Sequence, residues 1–295
     1  VTVLERAPVV GGLARTVEKD GYKFDIGGHR WFSKVDEVND FYKEVIGDET
    51  IWVHRISRIY FDGKYIDYPL AVGNALAAIG PVKAAQAMAD YGRARVEQRL
   101  NPKPIRSMED AYIDQYGRTL YELFFERYSE KVWGRPCAEM SGDWVNQRTK
   151  GMSLLTAVKD AIIPSKGAVQ SLIDSFMYPR YGYGRLSERM AEGVVAAGNE
   201  VRLGCGVSKI LRRGNHITGV VTTDEAGREN IVEGAEFVSS IPLTVLCQIM
   251  EPAAPAEVIA ASRALSFRNV ITVNLMLDRE KMTDDTWLYV HDRNI

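Results

Sequence analysis

The chain has 295 residues, 46% of them hydrophobic, which is enough to bury a large core and to divide into two domains. Its 37 basic and 39 acidic residues leave a formal charge of −2, so no global field draws it to nucleic acid or to an anionic membrane, and any anion site must be local. Three cysteines, Cys137, Cys205 and Cys247, are odd in number and form no C-x-x-C pair, which argues against a disulfide framework or a zinc site and for a reducing, cytoplasmic setting with no metal.

From its first residue the chain reads as α/β. Val1-Thr2-Val3-Leu4 is an apolar, β-branched run that ends on Glu5, the place of the acidic residue that closes the second strand of a Rossmann unit and accepts hydrogen bonds from the adenosine ribose. The G-x-G-x-x-G turn of such a unit would lie about 20 residues earlier, upstream of Val1, so the sequence reads as a fragment. Arg6, Gly11-Gly12 and Arg15 follow, then Gly27-Gly28. Val35 to Ile46 has helical periodicity. Residues 51–68 predict a strand pair that turns at Asp62-Gly63-Lys64.

Leu70 to Leu100, Met108 to Tyr116 and Leu120 to Trp133 have the length and spacing of helices, with Asn101-Pro102-Lys103-Pro104 as a breaker. The apolar stretch from Leu70 to Ala89 is interrupted by Gly73, Asn74, Gly80, Pro81 and Lys83, so a buried or amphipathic helix fits it better than a membrane span. No integral membrane segment is expected. Its apolar face, or that of Met152-Ser153-Leu154-Leu155, is also of the kind that makes peripheral membrane contact. Glu109-Asp110 follows Ser107 at a helix start and reads as a cap rather than an acid/base pair.

A helix from Arg185 to Ala197 stops at Gly198-Asn199. Beyond it the runs Glu200–Leu203, Val207–Leu211, Ile217–Thr222, Ile231-Val232 and Glu236–Ile241 predict a meander broken by glycines. Two later runs, Val270–Leu277 and Trp287–His291, also predict strands. These elements suggest a nucleotide-binding domain in two parts, residues 1–50 and 181–250, around an inserted substrate domain at 51–180, with a second substrate segment beginning at 251–295.

Glu5-Arg6, the run Gly11-Gly12-Leu13-Ala14-Arg15-Thr16 and the run Phe24-Asp25-Ile26-Gly27-Gly28-His29 together resemble the FAD-binding region of the amine oxidase and protoporphyrinogen-oxidase-like flavoproteins. Leu120 to Gly134, and more loosely Tyr178 to Gly184, resemble segments of UDP-galactopyranose mutases and their relatives. Val238-Ser239-Ser240-Ile241 is similar to the strand on which the family's FAD domain resumes. The resemblance implies a Rossmann-like FAD domain with a mostly helical plus β insertion, and FAD as the cofactor. Glycines 11 and 12 would let the backbone approach the pyrophosphate, with Arg15 adding a charge-assisted hydrogen bond. Glycines 27 and 28 would leave room for the flavin, with His29 beside them, and the main chain of Val207 would read the adenine edge.

A small-molecule substrate is implied. Trp31, Tyr60, Tyr68, Trp133, Arg135, Arg148, Tyr178, Arg180, Tyr181 and Tyr183 supply rings and guanidinium groups suited to a flat or phosphorylated ligand. His29, Arg148, Arg180 and Tyr181 are the expected catalytic residues. Gly182-Tyr183-Gly184 imitates a dinucleotide fingerprint, but no apolar strand leads into it, so it reads as a loop before a helix. The implied reaction is hydride transfer from a C–H or C–N bond to flavin N5, where the protein's task is alignment and water exclusion. Two alternatives are a mutase acting on a nucleotide sugar and a silent scaffold that keeps the fold.

Overall fold

The β-branched start of the chain is extended, as strand β1 (Thr2–Leu4), and a hairpin of β2 (Thr16–Lys19) and β3 (Tyr22–Asp25) follows. The hairpin turns at Asp20 and Gly21, both with positive φ (52° and 80°), the backbone that a tight two-residue turn requires. This computed structural model describes residues 1–68, 72–148, 175–224 and 226–291. After the hairpin come α1 (Asp36–Ile46), β4 (Thr50–His54), β5 (Ser57–Phe61) and β6 (Lys64–Asp67). The next helices are α2 (Val72–Ile79), α3 (Pro81–Leu100), α4 (Met108–Tyr116) and α5 (Arg118–Leu120), then a π-helical stretch Tyr121–Glu126, α6 (Arg127–Trp133) and α7 (Asp143–Arg148). The chain continues through β7 (Ser175–Pro179), α8 (Arg185–Ala196), β8 (Glu200–Arg202), β9 (Gly206–Arg213), β10 (His216–Thr223) and β11 (Glu229–Glu233). It ends with α9 (Leu243–Leu246), β12 (Met250–Glu251), α10 (Ala256–Ala264) and β13 (Trp287–Val290).

The architecture is α/β and falls into two units, Val1–Val53 with Met177–Met276, and His54–Phe176 with Leu277–Ile295. In the first unit β1 pairs in parallel with β8, with Val3 opposite Val201. Helix α8 leads into β8 through Gly198, whose φ of 75° reverses the chain. Tyr42 and Ile46, one helical turn apart on α1, are buried with Met177 against Trp31, Val45 and Leu186. Strands β11, β10 and β9 form an antiparallel meander that β12 extends in parallel.

In the second unit β13 runs parallel to β5, and β5 forms a hairpin with β6. Ile59 and Ile66, paired across that hairpin, join Tyr112, Tyr116, Leu120, Tyr121, Phe124, Cys137 and Val145 in one core. Asp285, only 2% exposed at its side chain, takes a bidentate pair from Arg58 at 2.6 and 2.7 Å, and so fixes the last strand to β5.

Four expectations differ from this fold. Leu70–Leu100 is broken into α2 and α3, because Gly80 has φ 81° and Pro81 starts a new helix at a position where its missing N–H costs nothing. Leu120–Trp133 is interrupted by the π-helical stretch Tyr121–Glu126, in which Tyr121 and Phe124 are buried in the core. Glu236–Ile241 and Val270–Leu277 are not strands. Extended backbone becomes a strand only through a ladder partner, and no described strand lies beside either run. Val238, Ile271 and Val273 face solvent accordingly. No helix among the described residues is long and apolar enough to cross a membrane.

Helix α4 opens with a capping box in which Ser107 Oγ accepts from the Asp110 N–H and Asp110 Oδ2 accepts from the Ser107 N–H, both at 3.0 Å. The Ser107 backbone bond is the main cause that holds the Asp110 carboxyl below its ordinary range. A depressed carboxylate stabilises the fold above its unfolded pKa of about 3.9, and the gain is lost as pH falls through the folded value. Ser107→Ala should lower stability by about 1 kcal/mol in urea unfolding. Asp110→Asn should cost stability at neutral pH and progressively less below about pH 4, and a pH-independent cost would contradict the assignment.

Candidate functional site

Glu5 lies just beyond β1, where main-chain bonds to the neighbouring segment hold it: its N–H donates to Arg202 O at 2.9 Å and its carbonyl accepts from the Cys205 N–H at 2.9 Å. Its Oε1 accepts from the Ala7 N–H at 2.7 Å, and its Oε2 has no protein partner among the described residues. The stem of Arg6 lies across Gly206, where a Cβ would stand 3.2 Å from Arg6 Cγ. Gly206 opens β9 and Val207 follows it, so Glu5, Arg6 and Val207 share one neighbourhood.

Gly11 and Gly12 have φ of 104° and 54°, left-handed values that favour glycine. Ala14 N–H closes the turn on Gly11 O at 2.8 Å. A Cβ on Gly11 would come within 3.2 Å of the Arg15 backbone and 3.3 Å of Ser187 Oγ, whereas at Gly12 nothing lies within 4 Å. One glycine is therefore needed for packing, and the other keeps an open surface beside the half-buried Arg15.

The hairpin register sets Thr16 opposite Asp25, and this pair receives the segment from Tyr178 to Gly184. Asp25 Oδ1 accepts from Thr16 Oγ1 at 2.6 Å and from the Tyr183 N–H at 3.0 Å, while Oδ2 accepts from the Tyr178 hydroxyl and, at 3.2 Å, from the Tyr183 N–H. Thr16 Oγ1 in turn accepts from the Gly184 N–H at 2.9 Å. No side chain could stand at either glycine of this loop: a Cβ would lie 2.3 Å from Thr16 Oγ1 at Gly182 and 2.4 Å from Thr16 N at Gly184. Burial, and then the Asp25 carboxylate, push the Tyr178 hydroxyl well above its ordinary pKa, so it remains a donor at neutral pH. Burial followed by Asp25 also raises Tyr183.

Beyond Asp25, Gly27 has φ 94° with nothing within 4 Å of a Cβ, and Gly28 is exposed. His29 stacks on Tyr183 with ring centroids 4.9 Å apart and planes at 22°. Its Nδ1 is buried and has no hydrogen-bond partner among the described residues. A buried polar atom of this kind is open to a bond from a bound group or water.

The loop is held from its other side by Glu49. Glu49 O accepts from the Arg180 N–H at 2.8 Å, and its carboxylate takes Arg185 at 2.8 and 3.2 Å and Arg189 at 2.5 Å. The Arg185 hydrogen bond, with Arg189 adding to it against desolvation, keeps the Glu49 carboxyl below its ordinary range. Arg180 and Tyr181 themselves are exposed, and the ring brought onto His29 is Tyr183.

The other ring and guanidinium candidates are dispersed. Trp31 stacks on Tyr42 at 4.6 Å. In the second unit Tyr60 packs on Tyr65, Tyr68 on Tyr289 and Trp133 on Trp144, and Arg135 pairs with Glu139. Arg148 ends α7, with its side chain outside the described residues, as is all of Met152–Leu155. Asp25 and Thr16 are the site residues that sequence reasoning missed. The signal available was the hairpin itself, since two strands joined by a two-residue turn fix which residues face each other.

Positive-φ glycines, an open carboxylate oxygen and an orphaned imidazole nitrogen fit an elongated nucleotide cofactor. A model of flavin-containing amine oxidoreductases matches residues 1–292. The chain belongs to that family. FAD is accordingly its cofactor. Phytoene dehydrogenase of Streptomyces griseus is 26% identical over 239 residues, 76% of this chain and 47% of that protein. Reduced UDP-galactopyranose mutase superposes with a TM-score of 0.73 at 19% identity, over 89% of this chain and 55% of that one. Putrescine oxidase gives 0.51 at 17% identity, over 88% and 56%. The chain thus spans about half the length of these relatives, and the structural likenesses establish fold.

Gly184→Ala should destabilise the protein by roughly 1–3 kcal/mol through overpacking on Thr16. Gly193→Ala, mid-helix in α8 with nothing within 4 Å, should instead stabilise it by up to about 1 kcal/mol. Chemical denaturation of the two variants checks both signs.

Proposed function

We propose that the full-length protein is an FAD-dependent oxidoreductase that removes hydride from a C–H or C–N bond of a small organic substrate. The observation that carries this reading is the buried Nδ1 of His29, which has no partner among the described residues and lies beside Gly27 and Gly28. When bound, FAD supplies the two-electron acceptor, which oxygen or another oxidant then restores. Glu5 Oε2 accepts from the ribose hydroxyls, and the Val207 main chain reads the adenine edge. Gly11 and Gly12 let the backbone approach the pyrophosphate, and Arg15 neutralises part of its charge.

His29 donates from Nδ1 to a polar edge of the bound group in the tautomer that carries its proton there. Arg180 and Tyr181, exposed on the 178–184 loop, contact substrate. Such a reaction depends on alignment and on exclusion of water more than on a strong acid or base.

Glu5→Ala in the full-length protein should weaken FAD retention by ~1.5–3 kcal/mol, roughly 10- to 150-fold, and a flavin content unchanged on gel filtration would remove the ribose assignment. Arg180→Ala should retain flavin and lose turnover; loss of flavin would place Arg180 at the cofactor instead. The reading itself is tested by anaerobic mixing of the full-length protein with amines, polyenes, porphyrinogens and UDP-galactopyranose. Bleaching of the flavin band by an organic substrate is the expected result. Interconversion of UDP-sugars only after prior reduction would replace the proposal with the mutase reading, and an absence of flavin with the silent scaffold.

A further inference from the structure

We propose that Asp25 is a positioning residue that acts on the cofactor through Tyr183 and His29. Its carboxylate captures the 178–184 segment, lays the Tyr183 ring on the His29 imidazole, and so fixes the ring whose Nδ1 has no partner among the described residues and is free for the bound group. This inference rests on the flavoprotein reading above, and it assigns a purpose to Gly182-Tyr183-Gly184, which that reading leaves unused.

Thr16 and Asp25 are cross-strand partners, so the hairpin presents a hydroxyl and a carboxylate side by side. These two side chains accept the consecutive N–H groups of Tyr183 and Gly184, a recognition of backbone rather than side chain. The flanking glycines allow the close approach, because a Cβ at 182 or 184 would overlap Thr16. With its N–H held by Asp25 and both neighbours pressed on the hairpin, Tyr183 has little freedom in where its ring lies. That ring covers one face of His29 at 4.9 Å and 22°.

An imidazole stacked in this way is fixed in tilt as well as place. Asp25 also lies only four residues before His29, and its carbonyl accepts from the Gly27 N–H at 3.0 Å, so one residue sets both the start of the Gly27-Gly28 turn and the ring packed against its end. Deleting the carboxylate frees Tyr183 and lets Nδ1 find water or main chain in place of the cofactor.

The test uses the full-length holoprotein with Asp25→Ala, Asp25→Asn and Tyr183→Leu, each also in a His29→Ala background, and reads the midpoint potential of the flavin. Asp25→Ala and Tyr183→Leu should shift the balance of reduced to oxidised flavin by about tenfold in the same direction, about 30 mV for a two-electron couple. Asp25→Asn, which keeps an acceptor for the Tyr183 N–H, should restore much of the wild-type value. In the His29→Ala background neither change should have any further effect. A role in stability alone would lower the unfolding temperature and leave the potential unmoved, or would move it equally without His29, and either result overturns the proposal.

A second measurement needs no flavin. In NMR spectra of the flavin-free full-length protein the His29 ring protons should carry an upfield ring-current shift from Tyr183 that Tyr183→Leu and Asp25→Ala both abolish. Persistence of that shift in Asp25→Ala overturns the proposal. If the shift responds as expected but the protein never binds flavin, the oxidoreductase reading fails while the positioning by Asp25 stands.

Discussion

Asp25 carries its charge in a half-buried position, and the protein supplies the donors that water would otherwise provide. Thr16, Tyr178 and the Tyr183 amide are those donors, and they come from segments more than 150 residues apart in sequence. Withdrawing a carboxyl group from water costs free energy unless hydrogen bonds replace those to solvent, and these three donors do so. Among the described residues, the bonds from Tyr178 and Tyr183 and the one from the Gly184 N–H to Thr16 Oγ1 are the side-chain bonds that tie the N-terminal hairpin to the loop before α8. Glu49, clamped by Arg185 and Arg189, fastens the same loop from the far side. The Asp25 carboxyl group thus holds the segment at Tyr178 and Tyr183, and the Glu49 carbonyl holds it at the Arg180 N–H.

The residues proposed to hold the cofactor fall in three groups: Glu5 and Arg6 beside the start of β9, Gly11, Gly12 and Arg15 in a turn, and Gly27, Gly28 and His29 after the hairpin. Each group is presented by the end of a strand or the bend of a turn, where backbone N–H and carbonyl groups are not already committed to a ladder. The left-handed glycines turn the chain in a backbone conformation that other residues rarely adopt.

Much of the fold was legible in the sequence, because it was written in short-range signals. The helix from Asp36 to Ile46 showed in its apolar spacing, the stop at Gly198 in its glycine, and the Asp62-Gly63 turn in its dipeptide. The failures were of a different kind. Glu236–Ile241 and Val270–Leu277 have strand composition, but a strand is a pairing, and composition does not supply the partner. In the candidate site the turns at Gly11, Gly12 and Gly27 were legible, since glycine answers to local backbone demands. Asp25 and Thr16 were not, because their importance comes from what reaches them across the chain. Tyr183 was grouped with Tyr181 as one of several rings; alternation along an irregular loop gave no means of telling which faces inward.

Native-state hydrogen exchange of the full-length protein measures directly whether the hairpin captures the backbone of the 183–184 loop. The amides of Tyr183 and Gly184, bound to Asp25 and Thr16, should exchange far more slowly than that of Tyr181, which has no hydrogen-bond acceptor among the described residues. Equal and fast exchange of all three would mean that the loop is not held, and would contradict the account.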